Sequence, residues 1–130
     1  MSARLLKIFL IFFCLNTSNL WAKDCKNSEL YPDVSLSDLK NLVAQKKATI
    51  IDVNSSESFQ KNHIPGAIHY SSNQSHFEKM LPEKKDTLII AYCGGPSCTA
   101  WKKAAEQACQ LGYTQVKHFK GGLKEWTSAG

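Results

Sequence analysis

The apolar and polar positions fall into segments of two periods. Leu36, Leu39, Leu42 and Val43 recur at helical spacing, which predicts a helix over 36–45. Ser35-Leu36-Ser37-Asp38 opens it in the manner of a capping box, with Asp where Glu is usual. Ala48 to Val53 (ATIIDV) is a short β-branched run and predicts a buried strand. Thr87 to Tyr92 (TLIIAY) predicts a second, and Gln115 to Phe119 another. Ser55 to Asn62 reads as a short polar helix or turn, and Ile64-Pro65-Gly66-Ala67-Ile68 as a break that re-enters extended chain. Ser75 to Leu81 predicts a short helix with Phe77, Met80 and Leu81 inward, followed by a turn over 82–86. Cys98 to Leu111 predicts the longest helix, with Ala100, Ala104, Ala105, Ala108 and Leu111 on one flat face and Gly112 at its end. Gly121-Gly122 is a turn before a last short helix over 123–128. Strands that alternate with helices and are almost wholly apolar predict an α/β fold, a parallel sheet with helices on both faces. Ligands of such sheets sit beyond the carboxyl ends of the strands. Two of those ends carry chemistry here, Asp52 and Cys93.

The first stretch has a different pattern. Arg4 and Lys7 precede an unbroken apolar run, Ile8 to Leu15, and Leu20-Trp21-Ala22 follows a polar patch. This is the layout of a secretory signal peptide over 1–22, cut after Ala22, which leaves one domain over 23–130. The run is far short of the roughly 20 residues a membrane span needs, so no stable membrane anchor is expected after cleavage. Export, to a periplasm if the cell is Gram-negative, is the expected localisation.

Losing Arg4 and Lys7 but no acid takes the formal charge from +5 to +3. The remaining lysines are scattered, in pairs at most, with no interleaved aromatics, which argues against nucleic acid as a partner. Arg4 is the only arginine, so an anion bound by the mature domain must be held by backbone N–H groups or lysine. Four cysteines remain: Cys25, Cys93, Cys98 and Cys109. In an oxidising compartment they allow three full pairings, and their spacing is not that of a tight zinc site. No metal and no cofactor is expected.

Cys93 follows the strand TLIIAY and precedes Gly94, Gly95, Pro96, Ser97 and Cys98, with a predicted helix next. A thiol at such a junction meets unpaired N–H groups and the positive end of a helix, and both favour thiolate. Gly94 and Gly95 can take positive φ and turn successive N–H groups inward as an anion-holding nest. Such a loop suits a persulfide or a sulfur oxyanion.

Ile51-Asp52-Val53, His63-Ile64-Pro65-Gly66-Ala67-Ile68, the Tyr92-Cys93 loop, Leu111-Gly112-Tyr113 and Gly121-Gly122-Leu123-Lys124-Glu125-Trp126, in that order and spacing, resemble a single-domain rhodanese. The resemblance implies a parallel five-stranded sheet flanked by helices on both faces. It also implies that Cys93 takes a sulfane sulfur as a persulfide and passes it to a nucleophile. Donors would be a small sulfur-containing anion or a protein persulfide, and the acceptor a thiol. The loop, Cys-x-Gly-Pro-x-Cys from Cys93 to Cys98, looks like a two-cysteine subgroup. Two positions depart from the family pattern: Asn54 and Cys98 stand where arginine is usual, which weighs against efficient use of free thiosulfate. Thr99 stands where a cysteine-based phosphatase would carry arginine.

Several side chains surround this reading. Gly94, Gly95, Pro96, Ser97 and Thr99 would form the substrate loop, and Lys102 or Lys103 would supply a point charge. Cys98 would either resolve a Cys93 persulfide as a disulfide, releasing hydrosulfide, or pack as a small apolar residue. Asp52, Glu57 and His63 are expected to fix loops. His69, His76 and His118 are expected at the surface or half-buried, and Trp101 and Trp126 in packing. A Cys25–Cys109 disulfide is one possibility, with Cys109 in the core and Cys25 free the other. The competing functions are a thiol–disulfide oxidoreductase using Cys93 and Cys98, a non-catalytic binding module, and copper or zinc binding by the loop thiols.

Overall fold

The computed structural model describes residues 24–130; the predicted signal segment, 1–22, lies outside the described residues. Helix α1 (Leu36–Ala44) leads into strand β1 (Thr49–Asp52), then α2 (Ser56–Lys61), β2 (Ile68–His69), α3 (Tyr70–Asn73), α4 (Phe77–Met80), β3 (Leu88–Tyr92), α5 (Trp101–Gln110), β4 (Gln115–Phe119) and α6 (Gly122–Ser128). The Ser35 hydroxyl caps α1 by accepting from the Asp38 N–H at 3.1 Å, so the capping residue is as expected. All strand pairs are parallel, in the order β2-β1-β3-β4.

Alternation along each strand sends side chains to two separate layers. Ile51, Ile89, Ala91 and Val116 face α5 and the segment of Tyr70, Phe77 and Leu81. Ile50, Ile90, Tyr92 and Phe119 face Leu39 of α1, Leu123 and Trp126. Both faces of the sheet are therefore covered, and Asp52 and Cys93 end adjacent strands, with Asp52 in register with Tyr92.

The sheet has four strands among the described residues, not five. The fifth position, beside β4, shrinks to one bridge between Asp33 and His118. There His118 N–H donates to Pro32 O at 3.1 Å and Val34 N–H to His118 O at 2.9 Å. Pro32 has no N–H to extend the ladder, and Ser35 at once turns the chain into α1.

Three further expectations need correction. Helix α5 starts at Trp101 rather than Cys98, which leaves Ala100 exposed in a turn. Met80 is 44% exposed, because α3, a 3-10 turn and α4 break the helical period that would have carried it inward; Phe77 and Leu81 are buried. His69 and His118 are buried, each at 6% exposure.

Two disulfides tie the domain. Cys25–Cys109 joins the lead-in to α5 across 84 residues, and Cys93–Cys98 closes the loop after β3. Their Cα atoms lie 5.7 and 6.1 Å apart, both ordinary for a disulfide.

Candidate active site

The site stands on a buried polar frame at the strand ends. Asp52 is fully buried and accepts from the Tyr92 hydroxyl at 2.5 Å and from the Asn54 N–H at 2.7 Å. The Tyr92 oxygen in turn accepts from the Ile64 N–H at 3.0 Å. Burial, and then the bond to Asp52, push the Tyr92 phenol up, so it stays a donor. Asp52 thus locks β1, β3 and the Ile64 turn together, a positioning role. His63 lies farther out; its Nδ1 pairs with Phe59 O at 2.7 Å and its ring stacks on Phe59 at 3.9 Å. Glu57 does not fix a loop: it sits on exposed α2 and pairs with Lys61, four residues on, at 3.0 Å.

Cys93 is 2% exposed and bonded to Cys98, which is half-buried. Gly94 and Gly95 keep φ outside the positive range, so the expected nest does not form through them. The positive φ falls instead on Gly122, at +62°, where α6 meets the loop. A Cβ on Gly122 would lie 2.5 Å from Cys93 O and 2.8 Å from both Gly94 C and Gly95 N. Only glycine permits that approach, which lets Leu123 N–H donate to Cys93 O and Lys124 N–H to Gly94 O, each at 2.9 Å. The start of α6 therefore fixes the first two carbonyls of the loop. Within the loop, Cys98 N–H donates to Gly95 O at 3.1 Å. Among the described residues, the N–H groups of Gly94, Gly95, Ser97, Thr99 and Ala100 donate to no protein acceptor. The loop thus leaves several N–H groups without a protein acceptor, and without the glycine conformations expected of an anion nest.

Asn54 touches the same loop. Its Oδ1 is 3.4 Å from where a Cβ on Gly94 would be, and its buried Nδ2 has no partner among the described residues. His69 holds the Asn54 carbonyl through Nε2 at 2.8 Å and Ser72 Oγ through Nδ1 at 2.7 Å.

The two lysines diverge. Lys102 lines a cavity with Pro96, Cys98 and Thr99, whereas Lys103 lines a smaller one with Val53, Tyr70 and Ala100. Trp101 is buried and stacks on His118 at 3.6 Å between ring centres. Burial pushes the His118 imidazole down; Asp33, 3.1 Å away, opposes this, and Lys120 and Lys102 reinforce it. Sequence reasoning missed Gly122 as a loop support, and Lys120 and His118 as residues that line a cavity with Cys98. The Gly121-Gly122 pair was the only local signal for the first, and nothing in the local pattern signalled the other two.

A loop cysteine at the end of a central parallel strand, backed by a glycine helix start, can be compared with known proteins. Residues 35–129 match the profile of the rhodanese-like domain. The chain belongs to that family. The rhodanese-like domain is 26% identical over 100 residues to the thiosulfate sulfurtransferase GlpE of Shewanella oneidensis, covering 76% of this chain and 95% of the relative. It is 27% identical over 108 residues to the human thiosulfate:glutathione sulfurtransferase, covering 73% of this chain and 92% of that protein. Among solved structures it resembles the human single-domain sulfurtransferase TSTD1, with a TM-score of 0.63, 27% identity, and coverage of 76% of this chain and 97% of that one. Family and relatives support sulfur transfer as the general class of chemistry for this rhodanese-like domain.

Proposed function

We propose that the protein is a sulfurtransferase that carries a sulfane sulfur on Cys93 as a persulfide and hands it to a thiol or another nucleophile. The observation that carries the reading is the buried Cys93 at the end of β3, in a loop whose backbone keeps several N–H groups without protein partners. The cycle begins when a thiol opens the Cys93–Cys98 disulfide. The Cys93 thiolate then attacks the outer sulfur of a donor such as thiosulfate; the new S–S bond forms as the donor's S–S bond breaks, and sulfite leaves with the electron pair. An acceptor thiolate next attacks the outer persulfide sulfur and regenerates the Cys93 thiolate. With no acceptor, Cys98 attacks the inner sulfur, restores the disulfide and expels hydrosulfide. No arginine serves the donor, so its charge falls to loop N–H groups and Lys102, which supports a slow reaction with free thiosulfate or a protein persulfide as donor.

The same proposal has residues 1–22 removed on export to an oxidising compartment. Two disulfides in one small domain support it, because reducing compartments keep thiols free. The test of function is sulfite release from thiosulfate by the reduced protein, with Cys93→Ser and Cys98→Ser alongside. Sulfite should be lost with Cys93→Ser and kept with Cys98→Ser, whose persulfide should also outlive that of the unsubstituted protein. Equal sulfite from Cys93→Ser would remove the central residue from the scheme. The observed loop disulfide favours a second reading, thiol–disulfide exchange with a protein substrate. That reading requires oxidation of a reduced substrate without any sulfite, and the same assay separates the two.

A further inference from the structure

The two bonded sulfurs face different surroundings. Cys93 is 2% exposed beneath the loop. Cys98 lines a cavity of about 400 Å³ that Cys93 does not line. That volume suits a small molecule. Its lining includes the cations Lys102 and Lys120, the acids Glu29 and Asp33, and the ring of Trp101. The cavity is therefore not a simple anion site: two cations and two acids line it together with Cys98. Asp33 is engaged by His118 at 3.1 Å yet keeps 56% of its side chain exposed. Glu29 and Asp33 belong to the lead-in, which the Cys25–Cys109 disulfide ties to α5, with the Tyr31 hydroxyl donating to Cys25 O at 2.5 Å.

We propose that this cavity binds a small zwitterionic aminothiol, free cysteine or a short cysteine peptide, and delivers its thiolate to Cys98, so that Cys93 is the sulfur released. Lys102 and Lys120 take the carboxylate, and Glu29 and Asp33 the ammonium. The thiolate forms an S–S bond with Cys98 Sγ while the Cys93–Cys98 bond breaks, and Cys93 leaves with the electron pair as thiolate. A second aminothiol then attacks the sulfur of the first, giving the free disulfide of the aminothiol and a Cys98 thiolate. Two thiols are oxidised and one disulfide is reduced. Exposure favours attack at Cys98, which makes Cys93 the leaving sulfur. The inference rests on the reading of Cys93 as the sulfur-carrying thiol, for which it supplies the activating step.

The test mixes the oxidised protein with L-cysteine, cysteine methyl ester or N-acetylcysteine. Each rate is divided by that thiol's rate with a small model disulfide, and early samples are acid-quenched for peptide mapping. The mixed disulfide should map to Cys98, with Cys93 free. L-cysteine should exceed both analogues by up to about fivefold, the upper end of what one exposed ion pair contributes. Lys120→Gln should erase its advantage over the methyl ester, and Glu29→Gln its advantage over the N-acetyl form; both side chains are exposed, so both variants should fold. A mixed disulfide on Cys93, or equal normalised rates for the three thiols, would overturn the proposal. Opening the disulfide with a phosphine bypasses the cavity. Sulfur loading of Cys93 after phosphine, together with equal thiol rates, would sink the cavity alone; no loading after phosphine would sink the underlying function instead.

Discussion

Replacing Gly122 by alanine tests whether the start of α6 holds the Cys93 loop. The residue sits at φ +62°, and a left-handed conformation costs an L-residue about 1–2 kcal/mol. The new methyl would meet Cys93 O at 2.5 Å and two loop backbone atoms at 2.8 Å, so the loop or the helix must move. Either movement stretches the two 2.9 Å hydrogen bonds from Leu123 and Lys124 N–H, each worth about 1 kcal/mol. The whole substitution should cost about 2–4 kcal/mol. Gly66→Ala is the control, because Gly66 has φ +79° but nothing within 4 Å of its would-be Cβ, so it reports the conformational cost alone, about 1–2 kcal/mol. Urea unfolding of both variants, disulfides intact, gives the difference. Sulfur loading on Cys93 after reduction should fall in Gly122→Ala and persist in Gly66→Ala. If the two variants lose equal stability and both load normally, the close approach of α6 does not hold the loop.

Tyr92→Phe removes a buried donor to Asp52 and the acceptor of the Ile64 N–H, and should cost about 2–3 kcal/mol in urea unfolding; a loss below about 0.5 kcal/mol would show that the frame is not a stabilising network. Cys25→Ala/Cys109→Ala opens a cross-link spanning 84 residues and should lower unfolding free energy by about 2–4 kcal/mol, with an unchanged value counting against the link. The His118 pKa is depressed below its ordinary 6.5, so below pH 6.5 the unfolded chain binds a proton that the native state resists. Stability should therefore fall as pH drops below 6.5 toward the folded-state pKa, His118→Asn should flatten that slope, and an unflattened slope would assign it to other groups.

The elements that could be read from sequence are those governed by local period. Helix α1 and strands β1, β3 and β4 follow from helical spacing, a serine cap and β-branched runs, and each lies within a residue or two of expectation. What escaped the sequence depends on contacts between distant segments. Strand β2 is two residues long, and the fifth strand dwindles to one bridge because proline and a helix cap flank it. The start of α5 was misplaced because Cys98 to Ala100 suit a helix locally, while the disulfide and the turn over Pro96 and Ser97 keep them out of it. The position of Cys93 could be read from its strand–Cys–Gly–Gly context. The support beneath it could not, because Gly122 meets the loop across almost 30 residues of chain. The Trp101–His118 stack and the pairing of Cys25 with Cys109 are likewise products of packing between separate elements, which local patterns do not encode.

Everything proposed for this domain depends on Cys93 carrying sulfur. The most direct test is the intact mass of the reduced protein before and after incubation with thiosulfate, with Cys93→Ser in parallel. The expected result is a gain of one sulfur atom, ~32 Da, that is absent from Cys93→Ser and lost again on adding a thiol acceptor. A Cys93 that remains free and alkylatable, with no mass gain from thiosulfate or from a protein persulfide donor, would contradict it.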